Sequence, residues 1–204
     1  MNKISTLVCA AMIPCLAQAA SIPYTDNFNS DTAALDAVPA GWSISNGGTV
    51  DIVANGTYGP PPITCRGKTG NCIDLNGSTG KPGDLVSPGL SLTGGQTYTA
   101  QFSLSGNDRI KQTDTVTIDF GTTVASISVK EKDPFTVDSV TFKPTTTGIY
   151  NLSFLDTNKN PSDNIGAILD NVKVVQTVPL PAAAWLLLSG LAGMGLMARR
   201  RSAA

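Results

Sequence analysis

The chain holds fifteen acidic residues and no histidine; fourteen of the acids are Asp, and Glu131 is the single Glu. Without histidine the usual general base and the commonest transition-metal ligand are missing, and no Ser-His-Asp or Cys-His constellation can be assembled. Glycoside hydrolysis would need only two carboxylates facing each other across a cleft, but no spacing singles out a pair among the fourteen aspartates. The expectation is therefore that the chain is not an enzyme. What remains suits binding. Trp42 and Tyr58 offer aromatic faces, while Asn46, Asn55 and Arg109 offer groups that bond hydroxyls, the combination by which a sugar ring is stacked and oriented.

These candidates also have plainer readings. Trp42 opens a strand-like run, Gly41-Trp42-Ser43-Ile44, where core packing serves as well as a binding platform. Tyr58 precedes Gly59 and the consecutive prolines 60–62, which stiffen and project the loop and make it the better platform, although an exposed loop tyrosine can be incidental. Asp156, Asn158 and Asn160 alternate like the start of an EF-hand calcium loop. Neither the closing Glu nor flanking helices follow, so the stretch reads as a turn between strands.

The elements that position these residues are short. Asp in place of Glu disfavours helix and favours turns, where a short carboxylate bonds nearby backbone N–H groups. From Thr25 to Gln176, runs rich in Thr, Val and Ile alternate with Gly, Asn, Asp and Pro clusters, and helical periodicity is nearly absent. Tyr98, Ala100, Phe102 and Leu104 share a face, as do Val116, Ile118 and Phe120, then Ala125, Ile127 and Val129, then Tyr150, Leu152 and Phe154. Ile168, Val172 and Val174 repeat the pattern around Asp170, and residues 72–75 form another short strand. Asn46-Gly47-Gly48 predicts a hairpin between residues 41–44 and 49–53, and residues 31–37 are the weakest candidate for a helix, or no more than a turn. So many strands in this length predict two packed antiparallel sheets, because a lone sheet would leave one apolar face wet.

The two ends are of another character. Lys3 is followed by an apolar stretch from Ile4 to Ala17 and by Ala17-Gln18-Ala19, the layout of a secretory signal peptide over residues 1–19. Val178-Pro179-Leu180-Pro181 precedes an apolar run, 182–198, and then Arg199-Arg200-Arg201. Seventeen helical residues span about 25 Å, enough to cross a thin bilayer with the arginines on the cytoplasmic side. A single β-domain over residues 20–176 is expected between a signal helix and a C-terminal transmembrane helix. Leaving out the four basic residues of the end segments, ten Lys and Arg face fifteen acids, so the body is near −5 and nucleic acid is excluded as a partner.

Cys9 and Cys15 fall in the signal segment, which leaves Cys65 and Cys72 on either side of a Gly-containing turn. In an oxidising compartment they are expected to form a disulfide closing a small loop. A two-thiolate zinc site is the alternative, but no histidine or further cysteine is present to complete four ligands.

The tail, with its Pro-bounded motif, apolar helix and basic end over 177–204, resembles the PEP-CTERM sorting tail of Gram-negative bacteria, with Val-Pro-Leu-Pro in place of the usual Val-Pro-Glu-Pro. The resemblance implies cleavage by exosortase, an integral-membrane cysteine protease of exopolysaccharide-producing systems; the alternative is a tail anchor that is never cleaved. Val178 to Pro181 is suited to an extended conformation, because the prolines lack N–H groups. In the body, Gly41-Trp42, residues 48–53, residues 73–77, Gly94-Gly95-Gln96-Thr97-Tyr98-Thr99, residues 102–107 and Ile168-Leu169-Asp170-Asn171-Val172 resemble, in order, the DUF642-like secreted bacterial domains. That likeness implies a galactose-binding-like jelly roll and an association with cell-wall or matrix polysaccharide. It also implies a structural calcium where the first and last strands meet, with Asp26 and Asp170 as first choices for ligands; the plainer reading makes Asp26 a turn former and has Asp170 bond backbone at a strand edge.

Together these readings describe an exported protein. It uses the Sec machinery, is held transiently at the inner membrane, and passes to the periplasm, cell surface or extracellular biofilm matrix. Its expected task is to bind or organise exopolysaccharide, the alternative being a structural or adhesive surface protein that contacts other proteins and, behind that, an unrecognised carbohydrate-active enzyme.

Overall fold

A computed structural model of the chain describes residues 19–157 and 163–177. The signal segment up to residue 18, the motif Val178 to Pro181, the apolar run and Arg199 to Arg201 lie outside the described residues. Among the described residues helical structure is confined to a 3-10 turn, Arg66–Lys68, and to Asp163, and the rest of the regular structure is strand.

The strands are β1 (Tyr24–Asp26), β2 (Ser43–Ile44), β3 (Asp51–Ala54), β4 (Asn71–Asp74), β5 (Leu85–Val86), β6 (Leu90–Leu92) and β7 (Thr97–Ser105). They continue with β8 (Thr113–Phe120), β9 (Thr123–Lys130), β10 (Thr136–Phe142), β11 (Gly148–Tyr150), β12 (Leu152–Asp156) and β13 (Ile168–Thr177). One sheet runs β10-β7-β13-β4-β3, with β1 also paired to β13; the other runs β2-β5-β12-β8-β9, and β11 pairs with β6. All these strand pairs are antiparallel. The expected all-β antiparallel sandwich is what the chain forms.

The core fills the space between the sheets. Tyr98, Ala100, Phe102 and Leu104 of β7 and Val116, Ile118 and Phe120 of β8 are buried, as their alternation requires. Phe102 meets Phe154 of β12 edge-on, with ring centroids 5.0 Å apart.

Three local expectations are corrected. Asn46-Gly47-Gly48 makes no hairpin, because β2 pairs with β5 while β3 pairs with β4 in the other sheet. The turn instead carries the chain across the sandwich: Asn46 Oδ1 accepts from the N–H groups of Gly48 and Asp84, its Nδ2 donates to the Pro82 carbonyl, and a Cβ at Gly48 would lie 2.1 Å from that carbonyl oxygen.

Tyr150 and Leu152, expected on one strand, fall on two. β11 pairs with β6 while β12 pairs with β5 and β8, with Asn151 between them. In β13 a bulge between Asp170 and Lys173, with Asn171 at φ 51°, shifts the alternation. Leu169, Val172 and Val174 therefore share the main core, and Ile168 packs into a smaller cluster with Val53, Ile63, Cys65 and Cys72.

Residues 31–37 form turns and a bridge, Ala34 to Ile52, rather than a helix.

Candidate functional site

Leaving β3, the chain turns at Asn55 and returns through the proline loop. The Gly56 N–H donates to the Ile63 carbonyl, and the Ile63 N–H donates back to those of Thr57 and Tyr58, which closes the loop at its base. Tyr58 sits at φ 51° and Gly59 at φ 101°. A Cβ at Gly59 would come 2.1 Å from the Pro61 carbonyl oxygen, so this tight turn requires glycine.

Beneath the loop lies the Cys65–Cys72 disulfide, whose Cα atoms are 5.5 Å apart. The zinc alternative falls with it, since both sulfurs are spent in the bond.

Tyr58, 39 % exposed, lines a cavity of about 270 Å³ together with Arg109, Asp51, Asp74, Ser78 and Asp163. Arg109 comes from the segment between β7 and β8. Its Nε donates to Asn107 Oδ1 at 3.0 Å, and an NH2 group pairs with Asp74 Oδ2. Asp74 ends β4 on the face opposite Ile73 and is fully buried. Burial pushes its carboxyl well above the ordinary range, opposed by the Arg109 charge and by the N–H groups of Asn76 and Gly166.

Asp51 lies directly opposite Asp74 on β3. Its carboxyl is also raised by burial, and its oxygens accept from the Asp36 N–H and the Ser78 hydroxyl. Asp51 and Asp74, with Asp163, thus share one cavity with a cation and a tyrosine. Protein donors already occupy Asp51 and Asp74, which suits a rigid polar floor better than a proton-transfer pair.

The other predicted residues are placed elsewhere. Asn55 Oδ1 accepts the Cys65 N–H, so this side chain ties the loop to the disulfide. Asn46 holds the crossing turn described above. Trp42 is a core residue: it is 6 % exposed, packs against Tyr24, Phe28 and Phe154, and donates its Nε1 hydrogen to Asp26 Oδ2 at 2.8 Å. Its ring has no open face for a ligand.

Asp26 Oδ1 also accepts the Phe28 N–H, and Asp170 accepts the N–H groups of Arg66 and Asn171. Both carboxylates thus serve as backbone and side-chain acceptors, as the plainer reading had it. Among the described residues no three acidic, Cys or His side chains already converge as a metal cage.

Sequence reasoning missed Asp74, which anchors Arg109. Its signal was a charged residue in the buried alternation of residues 72–75.

A larger recess of about 570 Å³ lies on the six-stranded sheet, lined by Asp26, Asn27, Arg66, Gln101, Ser103 and Lys173 among others. No aromatic residue lines it. Unlike this recess, the Tyr58 cavity combines a ring with oriented polar groups.

No family model and no curated protein matches the chain. Among solved structures it is similar to the CBM22-1 xylan-binding domain of Paenibacillus barcinonensis Xyn10C. The TM-score is 0.52 at 12 % identity, covering 79 % of this chain and 100 % of that domain. It is also similar to the arabinose-bound α-L-arabinofuranosidase MgGH51, with TM-score 0.52 at 12 % identity, over 74 % of this chain and 25 % of that one. The chain thus matches about a quarter of that enzyme's length. At these identities the likeness establishes a shared sandwich fold.

Proposed function

We propose that the chain is a secreted envelope or matrix protein, processed at its tail by exosortase, whose sandwich binds or organises exopolysaccharide at the Tyr58–Arg109 cavity. The observation that carries this reading is the meeting of a part-exposed tyrosine, held at positive φ by a glycine-dependent turn, with an arginine fixed by Asp74 and Asn107. A ring and a preoriented fork of N–H donors are what a sugar face and its hydroxyls require. A neighbour of the same fold is a xylan-binding domain, which favours a polysaccharide over a protein as the ligand.

The reading is of a binding module rather than an enzyme, because Asp51 and Asp74 both hold protein donors. Export and processing are supported by the layouts of residues 1–19 and 177–204; among the described residues no helix is long and apolar enough to cross a membrane.

The test is retention of the protein on immobilised matrix polysaccharides. Saturable retention that falls about tenfold in Tyr58→Ala is expected, corresponding to about 1.4 kcal/mol of lost stacking. Equal retention of variant and parent would remove this cavity from the function.

A further inference from the structure

Ile63 lines two cavities. One is the Tyr58–Arg109 cavity; the other, of similar size, is also lined by Asn107, Asp108 and Phe135. Arg109 belongs to the first lining and Asn107 and Asp108 to the second, so Ile63 and the segment 107–109 border both. Asn107 Oδ1 accepts from Arg109 Nε, which fixes the two ends of that segment to each other. At about 270 and 260 Å³, each cavity alone is smaller than the roughly 300 Å³ at which ligand pockets begin. Side by side they exceed it.

The second cavity is as firmly built as the first. Phe135 follows Pro134 in the loop between β9 and β10 and packs, partly buried, on the smaller apolar cluster around the disulfide. The Asp133 N–H donates to the Lys130 carbonyl, and Asp133 Oδ2 accepts the Lys130 N–H, which closes the loop. The Gly106 N–H donates to the Asp133 carbonyl at 3.0 Å, and the Glu131 N–H to the Gln112 carbonyl, so the loop is tied to both ends of the segment between β7 and β8. A Cβ at Gly106 would lie 1.7 Å from the Lys130 carbonyl oxygen, and this approach requires glycine. A ring held in this way loses little freedom when a flat apolar face is laid on it.

The polar lining bears on the kind of sugar. Among the described residues the charged groups of the second cavity are Asp108, Glu131 and Asp133 against Lys132. In the first, Arg109 is already matched by Asp74. Carboxylates accept hydrogen bonds from hydroxyls and repel carboxylate and sulfate groups. A single sugar fills one cavity, whereas linked sugars reach both, the second contact then being intramolecular.

We infer that the ligand is a chain of uncharged sugars that passes over Ile63 and stacks on Tyr58 and Phe135 together. This assignment rests on the polysaccharide reading of the Tyr58 cavity and adds to it a second subsite with its own ring.

The test is retention of the protein on immobilised β-glucan, mannan and galactan, as uncharged chains, and on alginate and polygalacturonate, as anionic ones. Retention on at least one uncharged chain and on neither anionic chain is expected. Phe135→Leu, which keeps an apolar side chain on the cluster but removes the ring, is expected to lower that retention about fivefold at the parent's urea midpoint. Phe135→Tyr, which keeps a ring, is expected to match the parent. Tyr58-dependent retention that is unchanged in Phe135→Leu, or equally weakened in Phe135→Tyr, would overturn the second subsite and leave the Tyr58 reading standing. Retention as strong on the anionic chains would overturn the sugar class in the same way. No retention of the parent on any of these chains would overturn both.

Discussion

Arg109 and Asp74, thirty-five positions apart, form a part-buried ion pair that joins the segment after β7 to the end of β4. Asn107 braces both partners, its Oδ1 accepting from Arg109 Nε and its Nδ2 donating to Asp74. The pair forms one wall of the candidate cavity and also holds that end of the six-stranded sheet together.

Removing one partner strands the other. Arg109→Met leaves a buried carboxylate without its counter-charge and is expected to cost about 3 kcal/mol in urea unfolding. The double variant Arg109→Met with Asp74→Asn is expected to recover part of that loss, because no buried charge remains. An additive loss in the double variant would show that the two side chains act separately.

At Tyr58, Tyr58→Phe separates the ring from its hydroxyl. If the ring is the platform, Tyr58→Phe keeps polysaccharide retention within about threefold of the parent while Tyr58→Ala loses about tenfold, and both unfold with the parent's urea midpoint.

The disulfide closes an eight-residue segment, Cys65 to Cys72, in the smaller apolar cluster. Loop-closure entropy for that length corresponds to about 2.5 kcal/mol. Replacing both cysteines by serine is expected to lower unfolding stability by about that amount, measured against the oxidised parent. It is also expected to loosen the Tyr58 loop, because Asn55 is bonded to the Cys65 N–H.

Asp170 sets a pH dependence. Burial pushes its carboxyl from the ordinary 3.8 up to about 6, against the pull of the Arg66 and Asn171 N–H groups and the Arg66 charge, with Asp26 adding a smaller push upward. The folded state then holds more protons than the unfolded state between about pH 4 and 6, so stability falls as pH rises through that window. A drop of roughly 5 °C in melting temperature is expected from pH 4 to 7 in chelator. Asp51, Asp74 and Asp114 are raised in the same sense, so the Asp170 share is the part of the slope missing in Asp170→Asn.

For the tail, the C-terminal mass of the mature protein decides. Processing in the Pro-bounded motif predicts the loss of residues 182–204, whereas their persistence in the mature chain would establish a stable anchor instead.

The sandwich was legible because strand alternation is local: Tyr98 to Leu104 and Val116 to Phe120 show in their own spacing which face is buried. The disulfide was legible for a similar reason, two cysteines seven positions apart around a turn. Connectivity was less so. Asn46-Gly47-Gly48 has the composition of a hairpin turn, yet contacts with residues 82–84 carry the chain into the other sheet. No local pattern contains that information.

The same division runs through the candidate site. Tyr58 and Arg109 were identifiable by residue type, but Trp42 and Asn55 have equally suitable types and lie in the core and at the loop base. Their roles depend on which partners the fold brings to them.

By itself, the sequence determined the all-β class, the acidic histidine-free chemistry and the two distinctive ends, because composition and short-range periodicity carry these. Tertiary structure alone decided that Arg109 meets Asp74, that Tyr58 joins them, and that Ile63 borders both their cavity and that of Phe135. These contacts link residues far apart in the chain. Strand register and burial create them, and a carboxylate's neighbours and solvent exposure then set its chemistry.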